Sequence, residues 1–223
     1  MELKDHDEIL ISCRKCERLV KWREEIAMKK KKAFQSMDYW GKPVPGFGDI
    51  DGRVLVVGLA PGAHGSNRTG RMFTGDSSGD FLFAALNRTG FANHAYTHSV
   101  GDGLQLSDMY ISAVCRCVPP DNKPTKDEIR NCIGYLESEI GMMKHLKIIV
   151  TLGSIAHHEI INYFGVAMEI NGIQSFKHFG VSNLDAINMT IISSYHPSRQ
   201  NTQTGRLTQS MFDDIWQSVR RLI

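Results

Sequence analysis

Four short apolar runs rich in β-branched residues constrain the fold more than any other feature of this chain. They are residues 53–59 (RVLVVGL), 109–114 (MYISAV), 147–152 (KIIVTL) and 189–193 (MTIIS). Helical spacing occupies 79–89, 126–143 and 154–163 between them, and 206–223 follows the last run. Strand and helix therefore alternate, and the strands are apolar almost without interruption. Such strands are buried on both faces, which predicts an α/β fold: a three-layer αβα arrangement around a central four-stranded parallel sheet. In folds of this kind ligands bind beyond the carboxyl ends of the strands.

The chain has 223 residues, 42% of them hydrophobic, enough for one well-buried core, so residues 1–223 are expected to form a single domain. A formal net charge of +2 rules out a broadly basic surface, and any polyanionic partner must be met by a local patch. The apolar runs are far too short for a membrane span, and the N-terminus MELKDHDEILISC has no apolar core after its charges. A cytoplasmic protein without a membrane role is expected, and nothing demands more than a monomer. Thr125, with Pro124 before it and Glu128 three residues on, marks a helix start. Residues 13–49, which include the lysine run 29–32, read as a helix and then a loop. Residues 167–188 suggest an extra hairpin or a long loop.

Five cysteines in a reducing compartment favour metal ligation over disulfides. Cys13 and Cys16 form a CxxC pair; Cys117 and Cys132 are separated by fourteen residues. Four thiolates suit either zinc or an iron-sulfur cluster, and the residues alone do not choose between them. The blander reading makes Cys117 and Cys132 small core residues. Cys115 alternates away from Cys117 and is expected in the core.

Two loops stand out. Residues 58–80 (GLAPGAHGSNRTGRMFTGDSSGD) place six glycines after the first strand. Glycines let backbone approach a ligand closely, but the loop lacks GxxxxGK[ST] and GxGxxG, which weakens a nucleotide-hydrolase reading. Within it, Phe73 and Asp76 put a flat ring beside a carboxylate, a pairing suited to a flipped base. Alternatively, Phe73 is core and Asp76 caps the helix that follows. Residues 194–208 (SYHPSRQNTQTGRLT) follow the last strand, with His196 stiffened by Pro197. His196 reads as a turn residue or as a catalytic one. Arg199, Gln200, Asn201 and Arg206 follow it, and with Arg68 and Arg71 of the first loop they are candidates for touching phosphates or entering a groove.

Taken together, GLAPGAHGSNRTGRMFTGDSSGDFLFAAL, CRCVPPDNKPT with Cys132, and SSYHPSRQNTQTGRLT resemble the family 5 branch of the uracil-DNA glycosylase superfamily. The resemblance implies a uracil-DNA glycosylase-like fold and hydrolysis of the N-glycosidic bond of uracil, and of bases such as hypoxanthine, in DNA. It also implies a structural [4Fe-4S] cluster on Cys13, Cys16, Cys117 and Cys132. Asp76 would support hydrolysis, His196 would face the base carbonyl, and Asn122 would serve the pocket. Gly62, Ala63 and Phe73 would surround the base. Other branches carry Asp, Asn or Glu beside the loop proline, whereas this chain reads Ala60-Pro61-Gly62. Ala113 stands where a uracil-reading Asn is expected, so base selectivity should be loose. A DNA-binding module with a structural zinc is the rival from another class, and iron content separates the two.

Overall fold

All four predicted runs become strands, within about a residue of their expected limits. The computed structural model describes residues 2–167 and 173–223. Its strands are β1 (Phe47–Gly48), β2 (Val54–Gly58), β3 (Met109–Ala113), β4 (Ile148–Leu152), β5 (Gly180–Leu184) and β6 (Met189–Ser194). The helices are α1 (Leu3–Ile11), α2 (Glu17–Lys29), α3 (Ser66–Thr69), α4 (Ser77–Arg88), α5 (Lys126–Met142), α6 (Ser154–Asn162), α7 (Arg199–Gln203) and α8 (Gln209–Leu222).

The sheet order is β1-β3-β2-β4-β6-β5. Its inner four strands pair in parallel, as expected, while β1 and β5 add antiparallel edges, so the sheet has six strands rather than four. Both additions are quiet in sequence: β1 has two residues, and β5 (GVSNL) is half polar. Where 167–188 suggested an extra hairpin or a long loop, the described residues form one strand, β5, which pairs with the predicted run β6; residues 168–172 lie outside the described residues. Likewise 13–49 holds α2 and then a loop, but also contributes β1.

Alternation along β2 divides the core. Val54 and Val56 join Ile111, Val150 and Ile192 beneath α4 and α8, whereas Leu55 and Val57 join Tyr110, Ile149 and Ile191 beneath α5 and α6. Helix α8 shows why these segments are helical: Phe212, Ile215, Trp216 and Val219 recur at i, i+3, i+4 and i+7, and all are fully buried. Each such burial stabilises by about 1.5–3 kcal/mol. At the start of α5, Thr125 Oγ1 accepts from the Glu128 amide (3.2 Å) while Glu128 Oε2 accepts from the Thr125 amide (2.7 Å), closing the predicted cap. Among the described residues no helix is long and apolar enough to cross a membrane.

The chain leaves β2 for β3 on one side and later returns to β4 on the other. The strand order thus reverses at β2, which opens a crevice beyond its carboxyl end.

Candidate active site

A cavity of about 440 Å³ fills that crevice. Gly58 and Ala113 form its floor from the ends of β2 and β3, and the loop after β2 supplies Gly62, Phe73 and Asp76. The loop after β6 supplies His196 and Arg199, and Asn122 closes the rim from the loop after β3. The carboxylate and the imidazole, 120 positions apart in the chain, therefore meet at one cavity.

Asp76 is the N-cap of α4. Its Oδ1 accepts from the amides of Ser78 (3.0 Å) and Gly79 (3.1 Å), as a helix cap does, while the same side chain lines the cavity. Capping α4 therefore does not take Asp76 out of the cavity. Gly65 lies so near the carboxylate that a side chain there would collide with it, and a methyl on Gly62 would stand 2.9 Å from Asp76 Oδ2. Those glycines are there for close approach. Burial raises the Asp76 carboxyl above its ordinary value and outweighs the two N–H donors, which act to lower it.

His196 is half-buried, and burial pushes its imidazole down to about 4, so the ring is neutral near pH 7. Phe73 stacks on it, with centroids 5.9 Å apart and planes at 28°. Phe73 itself is buried, with φ at +52°, an uncommon conformation for a bulky residue that this loop imposes. The tip of its ring presses on Gly58, where a methyl would come within 2.9 Å. Behind His196, the Asn201 amide donates to the His196 carbonyl (2.9 Å) and fixes the turn. Asn122 and Asp121 both adopt positive φ (56° and 54°), so the rim is held in a strained turn.

Several expected residues have other surroundings. Arg68 and Arg71 are buried and are not presented to a phosphate. Arg68 donates to the carbonyls of His64 (2.7 Å) and Gly75 (2.9 Å) and lies over the Phe34 ring. Arg71 donates to Thr74 Oγ1 (2.9 Å) and pairs with Asp102 (2.6 Å). Both arginines brace the glycine-rich loop from within. Ala63 faces a neighbouring groove rather than the cavity, and the Asn201 amide is turned into its own loop. Arg199 and Gln200 are exposed; Arg206 is exposed too, with its guanidinium over the Tyr195 ring. Leu59, Ser66, Met72 and Ser198 line the cavity without having been anticipated. They are ordinary residues whose position only the fold reveals.

The cysteines gather between α2, the loop after β3, and α5. Arg23 Nη1 donates to Cys117 Sγ (2.9 Å), the Arg116 amide to Cys132 Sγ (3.2 Å) and Asn131 Nδ2 to Cys16 Sγ (3.6 Å). Arg23 Nη2 also donates to the Cys13 carbonyl (3.1 Å). N–H groups aimed at sulfur suit electron-rich thiolates. Arg23 is 2% exposed, forms no carboxylate pair among the described residues, and has an unpartnered Nε. A buried cation of this kind needs negative charge, which metal-bound thiolates supply. Cys115 is fully buried in the core.

The sequence model of the uracil DNA glycosylase superfamily matches residues 45–220. A type-5 uracil-DNA glycosylase of Thermus thermophilus is 45% identical over 213 residues, covering 96% of this chain and 94% of that protein. One from Mycobacterium leprae is 46% identical over 211 residues (94% and 91%), and one from Pyrobaculum aerophilum is 42% identical over 206 residues (92% and 87%).

Proposed function

The chain belongs to the type-5 branch of the uracil DNA glycosylase superfamily, and from that premise we propose how its cavity cleaves the bond between base and sugar. The protein is a DNA-repair hydrolase that excises uracil from DNA. The convergence of Asp76 and His196 on one cavity carries the assignment of roles.

Breaking an N-glycosidic bond leaves positive charge on the deoxyribose and negative charge on the departing base. Asp76, the carboxylate of the cavity, opposes the first by stabilising an oxocarbenium-like sugar and orienting or deprotonating water. The burial that raises its pKa makes it a stronger base, while its N-cap bonds hold it in place. A neutral His196 opposes the second charge by donating an N–H to the base carbonyl, and one such donor is worth about 3 kcal/mol of barrier. Phe73 supports the imidazole and offers an apolar wall to the flipped base, with Gly62 at the wall beside Asp76. Asn122 takes the pocket rim, and Ala60 leaves water activation to Asp76 alone. The direct test incubates the protein with uracil-containing oligonucleotides and then applies alkali to reveal abasic sites. Strand cleavage is expected; its absence would remove the enzyme reading.

Ala113 brings a methyl, not an amide, to the cavity floor. With no amide to read uracil at that wall, we infer that hypoxanthine and related deaminated bases are also accepted. Ala113→Asn should raise the ratio of uracil to hypoxanthine excision at least tenfold in parallel single-turnover assays, and an unchanged ratio would dismiss the role of this wall.

We infer that Cys13, Cys16, Cys117 and Cys132 hold a [4Fe-4S] cluster; the family relationship and the N–H groups aimed at three of the four sulfurs support this reading. A cluster held there would tie the start of α2 to α5 and to the loop after β3. Purified protein should be brown and contain iron.

A further inference from the structure

The lysine run 29–32 takes no part in the excision chemistry described above. Its four ammonium groups are not equivalent. Lys29 pairs with Glu25 and Lys30 with Asp38 (3.7 Å), but Lys31 and Lys32 have no carboxylate partner among the described residues. Lys31 is also pinned to the glycine-rich loop: its amide donates to Tyr39 Oη (3.3 Å), and Tyr39 Oη is hydrogen-bonded to His64 Nδ1 (3.0 Å).

Beside the active-site cavity runs an open groove of about 570 Å³, and the two share Gly62, Asp76, Ser77, Asn122 and Arg199 as common wall. Lys31 and Arg199, from opposite ends of the chain, both line it. The groove offers little to a base. Of its two rings, Phe34 is already covered by the Arg68 guanidinium 4.1 Å away and His64 is engaged by Tyr39. What it does offer is unpaired positive charge continuous with the place where a nucleotide's base is taken in. A nucleotide cannot leave the duplex without its two flanking phosphates turning with it, so the cavity requires a positively charged path alongside.

We propose that this groove is a phosphate channel in which Lys31 and Arg199 grip the backbone of the DNA strand beside the flipped nucleotide. The proposal rests on the glycosylase reading above and adds to it a clamp delivered by the N-terminal segment. Each cation that neutralises one phosphate contributes about 0.9 to the slope of log affinity against log salt on duplex DNA.

The test measures binding of a duplex containing a stable abasic-site analogue opposite guanine, by fluorescence anisotropy over a range of salt. Lys31→Ala and Arg199→Ala should each weaken binding about tenfold at low salt and reduce the slope by about one. Lys29→Ala removes the same charge from an ammonium already paired with Glu25 and should change affinity less than twofold, with uracil excision unaltered. Replacing single linkages beside the abasic site by uncharged methylphosphonate should identify one phosphate whose neutralisation weakens the unmodified protein but not Lys31→Ala. The channel is refuted if Lys31→Ala keeps the full salt slope, or loses no more affinity than Lys29→Ala, in a protein that still excises uracil. Failure of the unmodified protein to release any deaminated base would instead overturn the glycosylase reading, and the channel with it.

Discussion

The cap that Asp76 makes and the catalytic role proposed for it can be separated by substitution. Its Oδ1 caps α4, which an asparagine can also do, whereas the charge proposed to act beside the sugar belongs to the carboxylate alone. Asp76→Asn should therefore lose at least a hundredfold in single-turnover rate with a melting temperature close to that of the parent. Asp76→Ala should lose the activity and also about 1 kcal/mol of stability. Equal melting temperatures for the two variants would mean that the cap contributes nothing. His196 makes a prediction about pH. Its folded value, about 4, lies below the ordinary value of about 6.5, so between these limits the unfolded chain binds a proton that the folded protein refuses. Stability is then lost as pH falls from about 6.5 towards 4. Asp76, whose carboxyl is raised, acts in the opposite sense at the acid end of that window. His157 and His178, both lowered by burial, share the trend with His196, so His196→Gln should reduce the acid loss without abolishing it. Thermal unfolding between pH 4 and 7 measures this, and an unaltered pH slope would show that His196 is not titrating as stated.

At the scale of the element, the glycine-rich loop owes its shape to buried charge. Arg71 reaches from this loop to Asp102, which also accepts from Thr97 Oγ1 (3.2 Å) and from the amides of His98 (2.9 Å), Ser99 (3.3 Å) and Leu104 (3.1 Å). Burial works against the Asp102 carboxylate, yet Arg71 and these amides hold it well below the usual range. Removing one member of a buried pair leaves the other unpaired, at a cost of about 3–5 kcal/mol. Arg71→Ala should therefore destabilise the protein by roughly that amount while leaving the salt slope of DNA binding unchanged; a reduced slope would return Arg71 to the DNA surface. Here lay the limit of what the residues could disclose. Arginine in a polar loop looks solvated, and neither Asp102, thirty-one positions away, nor the Phe34 ring under Arg68 has any local signature. The inner strands were legible because apolar β-branched runs have few alternatives, and α5 because its cap is written in four residues. Edge strands β1 and β5 were not, since a strand with one open side needs little apolar character. Phe73, Asp76 and His196 stood out in their loops with a structural alternative beside each, and Asn122 was named from motif resemblance, but only the parallel sheet, by aligning strand ends, explains why loops so distant in sequence share one cavity.

Across the whole molecule, α2 runs from the cysteine site to the groove beside the active-site cavity. Cys16 immediately precedes α2, Arg23 in its middle bonds Cys117, and Lys30 closes it, so the helix delivers Lys31 to the groove beside the cavity. Apart from these sulfur contacts, Arg18 pairs with Glu128 of α5 (2.6 Å) and the Asn67 side-chain amide donates to the Arg23 carbonyl (3.3 Å). The buried residues of α2, however, are only Leu19, Val20 and Arg23, and the Arg23 guanidinium is held by sulfur and a carbonyl. The inner strands, in contrast, are wholly buried residue after residue along β2, β3 and β4. Loss of the proposed cluster should consequently act locally, because the sheet and α8 keep their contacts while α2 would lose an anchor and Arg23 its counter-charge. Cluster removal is expected to abolish amide exchange protection in α2 and in the loop after β3, leave β2 and β4 protected, and weaken DNA binding to the level of Lys31→Ala. Hydrogen exchange on holo- and apoprotein reads this segment by segment. If α2 keeps its protection without iron, the helix is held by its own packing and the cysteines serve another purpose; if β2 and β4 exchange with it, the cluster supports the whole fold rather than one helix.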